Sequence, residues 1–322
     1  MAKSSTKDLT TGSPMKLILG FMLPLLLGML FQQFYNMVDT AIVGQFLGIN
    51  ALAGVGSTGS INFLVLGFVQ GVCTGFAIPV AQQFGAREES RMREFVANGT
   101  WLSIVFALVM TVLTVVYCGD ILRVMNTPTD CFEQAYDYIV VIFAGIPFTF
   151  LYNLLSGWLR SLGDSKTPLF FLVLSSVLNV ILDLAFILIF KLGVLGASLA
   201  TVLSQAVGAC WILKFLTGPK TILKLRKEYL RVERSVILPV LGLGISSFVM
   251  LSTESLLSIS FSSSLARYGG DIAVGAMTVI TSVSQLCTLP IQGICQGGQP
   301  VMSFNFGAGK KSRVCLLYTS PS

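Results

Sequence analysis

Long apolar stretches recur along the chain, each interrupted by a short polar or charged segment. Eight reach the roughly 20 residues that a helix needs to cross a bilayer. They are Leu17–Gly44, Ala51–Ala81, Phe95–Cys118, Tyr136–Trp158, Pro168–Phe190, Val194–Phe215, Val236–Ser260 and Ile272–Met302. This pattern describes an all-α polytopic membrane protein with about eight transmembrane helices. The first stretch is too long for a cleavable signal peptide, has no small-residue cleavage site, and is followed by further spans.

Composition agrees. The chain has 322 residues, of which 54% are hydrophobic and only 11% charged, with a mean hydropathy of +0.80. Soluble domains carry about 25% charged residues. The net charge of +6 would fit a nucleic-acid partner if the cations were clustered on one surface, but their placement is topological. Lys3, Lys7 and Lys16 precede the first span, and Arg87, Arg91 and Arg93 lie between the second and third. Arg160 and Lys166 follow the fourth span, a basic run from Lys214 to Arg234 follows the sixth, and Lys310, Lys311 and Arg313 follow the eighth. Only Arg123, Lys191 and Arg267 fall on the opposite side. The positive-inside rule makes that basic side, and both termini, cytoplasmic. No nucleic-acid partner is expected. The plasma membrane of a prokaryotic cell is the expected location.

The seven cysteines form no C-x-x-C pair and read as apolar packing residues. Histidine is absent, which excludes His-based catalysis, metal ligation and proton relay. Gly54-Val-Gly-Ser-Thr-Gly59 fits the dinucleotide fingerprint, yet it opens a span, follows no strand, and has Pro79 where an acid is wanted. Small residues for close helix packing explain it. No cofactor is expected.

Displacing the sequence by 222 positions aligns Ala51–Glu88 with Ala273–Lys310 without a gap. Ten of 38 positions are identical, among them Gly71/Gly293, Cys73/Cys295, Gly75/Gly297 and a shared Phe-Gly-Ala at 84–86 and 306–308. Pro24 precedes Asp39 by 15 residues, as Pro239 precedes Glu254. The repeating unit is then six helices and about 220 residues long, and both copies start from the cytoplasm. Parallel repeats of this kind are related by an axis along the membrane normal. The expected organisation is a cytoplasmic tail (1–16), a complete six-helix lobe (17–217), a basic cytoplasmic linker (218–235), the first two helices of a second lobe (236–310), and a short tail (311–322). A full second copy would need more chain than follows, so the sequence reads as a fragment or one with a disrupted frame.

Three acidic residues fall deep within spans: Asp39, Asp183 and Glu254. A carboxylate at membrane depth costs roughly 2.5–3.5 kcal/mol on insertion scales. No Lys or Arg lies at comparable depth in sequence. Each carboxyl must therefore carry a proton or hold a cation from solution. Asp39, Asp183 and Thr201 lie within five to seven residues of the outer ends of their spans, and Asn179 is one helical turn from Asp183. Two carboxylates, an amide oxygen and a hydroxyl form a hard-oxygen set suited to Na+, or to a proton shared between two acids. Asn179 and Thr201 would equally serve as interhelical hydrogen-bonders. Tyr35, one turn before Asp39, reads either as its hydrogen-bond partner or as an interfacial aromatic.

These segments resemble the MATE family, the multidrug and toxic compound extrusion transporters. The resemblance rests on Tyr35-Asn-Met-Val-Asp39-Thr-Ala-Ile-Val-Gly44, on Ala51-Leu-Ala-Gly54, and on Gln83-Phe-Gly-Ala86. Asn179-x-x-x-Asp183 and Gly193-Val-Leu-Gly-Ala-Ser-Leu-Ala-Thr201 extend it. It runs from about Pro14 to Lys310. The resemblance implies two six-helix lobes around a V-shaped cavity, and exchange of Na+ or H+ for cationic or amphipathic compounds by alternating access. It also implies that Asp39, Asn179, Asp183 and Thr201 form the cation site of the first lobe. Glu254 would act in coupling or in binding cationic substrates, and Asn153 would line the cavity. The departure is the missing last four helices, so missing second-lobe helices or a partner chain would be needed to close the cavity around the drug; the surrounding membrane lipids are the other expected contacts. The alternatives are a lipid-linked oligosaccharide flippase of the same superfamily, which would want basic residues in the cavity, and an intramembrane aspartyl protease. The protease motifs Tyr-Asp and Gly-x-Gly-Asp are not matched, because Asp39 follows Val38 and Asp183 follows Leu182.

Overall fold

The computed structural model describes residues 9–125, 127, 129–218 and 234–319, and all regular structure among them is helical. Most of the basic linker, residues 219–233, lies outside the described residues, as do the extreme termini. The helices are α1 (Pro14–Leu47), α2 (Ile49–Ser57), α3 (Gly59–Gly85), α4 (Glu89–Val116), α5 (Cys118–Val124), α6 (Phe132–Ala144), α7 (Ile146–Ser161), α8 (Lys166–Leu184), α9 (Val194–Thr217), α10 (Arg234–Gly307) and α11 (Lys311–Thr319).

Among the described residues, five helices are long and apolar enough to cross a membrane, and a bent pair adds a sixth. The surfaces of these helices are inverted relative to a soluble protein. On α4, Leu108, Val112 and Val116 recur every fourth residue and are at least half exposed, whereas Phe95, Gly99, Ser103 and Ala107 face inward. Only a hydrocarbon solvent rewards that arrangement, because the exposed apolar face costs nothing there.

Three of the expected spans are interrupted. The second is divided at Thr58 into α2 and α3. The fourth is α6 followed by α7, bent by 48°. The bend falls at Gly145-Ile146-Pro147, where proline removes the amide that would continue the hydrogen-bond ladder. The fifth passes from α8 into a π-helical turn, Ala185–Ile189, in which the Phe190 amide donates to the Ala185 carbonyl at 3.0 Å. That turn begins two residues after Asp183.

The seventh and eighth expected spans join in one helical run, α10, of 74 residues. The polar segment expected to form a loop there contains no proline to stop a helix: none lies between Pro239 and Pro290. Yet α10 is not a straight rod. A Cβ placed on Gly75 would meet the backbone of Gly244, and one on Gly85 would meet Phe304. Gly75 and Gly85 are about 15 Å apart along α3, whereas 60 residues of straight helix would separate Gly244 from Phe304 by about 90 Å. Both ends of α10 thus return to the same end of the bundle.

The contacts obey the 222-residue displacement. Gly85 approaches Phe304, and Gly307 approaches Gln82; Gly75 approaches Gly244, and Gly297 approaches Met22. In each pair the second contact is the first with its partners exchanged between repeats, as across a two-fold axis. Glycine is required there, since an added Cβ would lie 2.0 Å from the Phe304 carbonyl oxygen at Gly85 and 1.8 Å from that of Gln82 at Gly307. Phe84 and Phe304 pack edge to face beside this joint, with centroids 5.3 Å apart. The N-terminal segment covers it: Leu9 is fully buried against Phe21, Val301 and Phe304. The Leu9, Thr10 and Gly12 carbonyls accept hydrogen bonds from Asn305 (3.0 Å), Lys310 (3.0 Å) and Arg313 (2.9 Å).

Candidate functional site

Asp183 is the most deeply buried acid among the described residues, with 0% exposure, and Asn179 one turn earlier is 2% exposed. Their four-residue spacing on α8 sets both side chains on the face turned to α9 and α1. From α9, Thr201 approaches Asn179, whose amide donates to the threonine hydroxyl at 3.4 Å. Asp39 on α1 brings a second carboxyl against that of Asp183. The four residues expected to act together thus share one locus in the interior of the bundle.

The oxygens at this locus are poorly satisfied. Asp39 Oδ1, Asn179 Oδ1 and both carboxylate oxygens of Asp183 are buried without a hydrogen-bond donor. Leaving one such group unpaired costs about 1–3 kcal/mol, and more when it is charged. The arrangement is therefore one that a cation or a proton would stabilise. Hard oxygen donors of this kind suit Na+ and not a thiophilic metal. Among the described residues there is no cluster of three or more His, Cys, Asp or Glu that could hold a metal ion.

Tyr35 lies within electrostatic reach of both carboxyls, but its hydroxyl pairs with Gln32 and not with Asp39. Tyr138 of α6, 7% exposed, also faces Asp39, Asp183 and Tyr35. The sequence reading passed over Tyr138 because an aromatic residue within an apolar span is ordinarily packing. Asn153 is not at the carboxylate pair: its amide donates to the Thr149 carbonyl at 2.8 Å. The Thr149 hydroxyl in turn donates to Gln205 of α9. Neither Thr149 nor Gln205 was anticipated; their signal was positional, four residues from Asn153 and Thr201 respectively. Glu254 falls in α10, and its side chain lies outside the described residues. Arg160, counted from sequence with a cytoplasmic loop, occupies the last turn of α7, half-buried and close to Tyr152 and Cys73. Among the described residues, no cation acts on the carboxylate pair.

A bundle of lipid-facing helices that buries such a polar locus is a multipass membrane protein. The MatE family model matches residues 24–185 and 246–319, and the chain belongs to that family of membrane transporters. YoeA of Bacillus subtilis strain 168, described as a probable multidrug resistance protein, is 31% identical over 277 residues, which cover 84% of this chain and 60% of YoeA. YpnP of the same organism, described in the same words, is 30% identical over 315 residues, 95% of this chain and 68% of YpnP. The chain thus spans between 60% and 68% of the length of these curated relatives. A solved outward-facing conformation of a multidrug resistance MATE family transporter of the MOP superfamily superposes with a TM-score of 0.92 at 25% identity, covering 99% of this chain and 70% of that one.

Proposed function

We propose that this chain is the cation-coupled part of a multidrug efflux antiporter. It would exchange Na+ or H+ for cationic or amphipathic organic compounds in a prokaryotic plasma membrane, with both termini cytoplasmic. The observation that carries this reading is the Asp39–Asp183 pair, buried with unpartnered oxygens beside Asn179 and Thr201. It is supported by membership of a family whose relatives include described multidrug resistance and export proteins.

The mechanism follows from charge compensation. Two adjacent carboxylates in a dry interior are stabilised by one cation or by protons, and a cationic drug competes for the same compensation. Capture of the ion draws α1, α8 and α9 together around it, and release of the drug accompanies that change. Alternation between two arrangements then moves the two species in opposite directions. No covalent chemistry is required, and the protein is a secondary transporter and not an enzyme. An oligosaccharide-lipid substrate carries pyrophosphate and would need a cation at the site; the cavity acids argue against it.

The test is ethidium efflux from proteoliposomes under an imposed Na+ or pH gradient. Asp183→Asn should abolish gradient-driven efflux while leaving membrane insertion intact. Normal efflux by that variant would remove Asp183 from the mechanism.

A further inference from the structure

The bend in the fourth span is tied to the cation locus by a short polar chain. At the bend, a Cβ on Gly145 would lie 2.4 Å from Val202 Cγ2, so the backbone there is seated directly on α9, next to Thr201. One turn beyond the bend, the Thr149 hydroxyl donates to the side-chain oxygen of Gln205. Gln205 stands one turn beyond Thr201 on the same face of α9. One turn further along α7, Asn153 donates to the Thr149 carbonyl at 2.8 Å. On the other side, Thr201 meets Asn179 at 3.4 Å. Hydrogen bonds thus join Asn179 to Thr201, Thr149 to Gln205 and Asn153 to Thr149, while Asp183 and Asn179 on α8, and Thr201 and Gln205 on α9, are related by one-turn spacing on their helices; the Thr149–Gln205 bond joins α9 to the polar face of α7.

We propose that Gln205 is a positioning residue that couples the two functions of the site: it transmits cation occupancy at Thr201 to the Thr149–Asn153 wall of the drug cavity. The inference rests on the transport reading above. When an ion recruits the Thr201 hydroxyl, α9 shifts, and the buried bond from Thr149 obliges α7 to follow at its weakest point, the Gly145–Pro147 bend. Loss of that bond removes a directional constraint between α7 and α9 that apolar packing, with no preferred alignment along the helix axis, does not replace. Gln205 does not touch the ion in this account.

The experiment measures ethidium affinity by fluorescence on the purified chain, with and without a saturating cation (Na+ at alkaline pH in one series, protons without Na+ in the other). The ratio of the two dissociation constants is the coupling factor, and 5–150-fold is the usual range for linked sites. The wild-type protein should show such a ratio with one of the two cations. Gln205→Leu should bring it towards one while cation-free ethidium binding is retained. Thr149→Val, which keeps the shape but loses the hydroxyl, should likewise bring the ratio towards one, whatever its own effect on cation-free affinity, and Thr149→Ser should restore coupling. The double variant should lose no more than either single one. A purely packing role would predict the opposite order at Thr149, with Val tolerated and Ser not. A wild-type ratio of one with both cations overturns the transport reading and this inference with it. A normal wild-type ratio that persists in Gln205→Leu or Thr149→Val overturns the assignment of Gln205 alone.

Discussion

Replacing Asp183 by Asn should make the protein more stable in the absence of cation, although the residue lies at the centre of the site. Both Asp183 oxygens are buried and unpartnered, and the Asp39 carboxyl lies against them. An asparagine of the same shape removes one of two confronted acids and offers an N–H2 to the other. A hydrogen bond to a charged group contributes about 1.5–3 kcal/mol. In a domain of 150–250 residues each kcal/mol raises Tm by about 2–4 °C, so the variant should melt several degrees higher in cation-free buffer. Cation changes the comparison. A ligand at 100 times its Kd stabilises the wild-type protein by about 2.7 kcal/mol, whereas the variant, having lost a ligand and a charge, should respond weakly.

The assay is thermal unfolding in detergent, followed by intrinsic fluorescence of the three tryptophans, with Na+ titrated at alkaline pH and protons titrated without Na+. The expected result is a pair of curves that converge as cation is added, the wild-type curve rising and the variant curve flat. Equal or lower stability of Asp183→Asn without cation would refute the claim that the native pair is a strained, uncompensated arrangement. An undiminished cation response in the variant would show that the ion binds elsewhere.

Two further outcomes follow from the joint between the repeats. Gly307→Ala and Gly85→Ala should each destabilise the protein by about 1–3 kcal/mol, because the added methyl would overlap a carbonyl of the other repeat. Gly298→Ala, with nothing within 4 Å, should be neutral or stabilising by up to about 1 kcal/mol, since alanine is the better helix former; melting temperatures of the three variants decide. Asn305 is fully buried and donates to Leu9 and Val301, so Asn305→Ala should cost about 1–3 kcal/mol and release the N-terminal segment. Faster tryptic cleavage at Lys16 in the variant, read by mass spectrometry, checks this, and an unchanged rate would count against the clamp.

The helical architecture was readable because hydrocarbon demands long apolar runs; the helices of the first repeat match the expected limits within about four residues, except that α4 begins six residues early, at Glu89. The convergence of Asp39, Asn179, Asp183 and Thr201 was readable for a related reason. Aspartate and asparagine in a hydrocarbon run are too costly to be accidental, and a four-residue spacing fixes their common face. The interruptions were less visible. Gly145 and Pro147 announce a bend only when it is known that the helix continues on both sides, and nothing in Ala185–Ile189 distinguishes a π turn from ordinary helix. Gln205 and Thr149 are unremarkable as single polar residues, which membrane helices tolerate by bonding to their own carbonyls; their importance lies in a pairing across 56 positions of sequence that no local pattern encodes. Arg160 was misassigned because charge counting treats the end of a helix as loop, whereas the long side chain lies back along the helix towards Tyr152.

The two-fold relation between the repeats concerns packing and not chemistry. The reciprocal contacts at Met22 and Gly244 set those residues as equivalents, and continuing the same displacement along α1 makes Phe261 the counterpart of Asp39 and Gln32 the counterpart of Glu254. The matched spacing of Pro24 to Asp39 and of Pro239 to Glu254 is therefore offset by two turns from the register of the joint. Phe261 is 56% exposed and provides no acid at the second copy of the site. The symmetric joint thus carries unlike side chains at this position, an acid at Asp39 and an aromatic at Phe261. Helix α1 belongs to both the joint and the carboxylate pair: Met22 packs on Gly297 in the joint, and Asp39 reaches the pair about 25 Å further along. Pro24 lies between them, two residues past Met22, where it deletes one backbone hydrogen bond. A bend placed there would let the segment bearing Asp39 move towards Asp183 while the glycine contacts below it stay packed. Moving the same proline beyond Asp39 would leave no such freedom, and moving it before Met22 would open the joint.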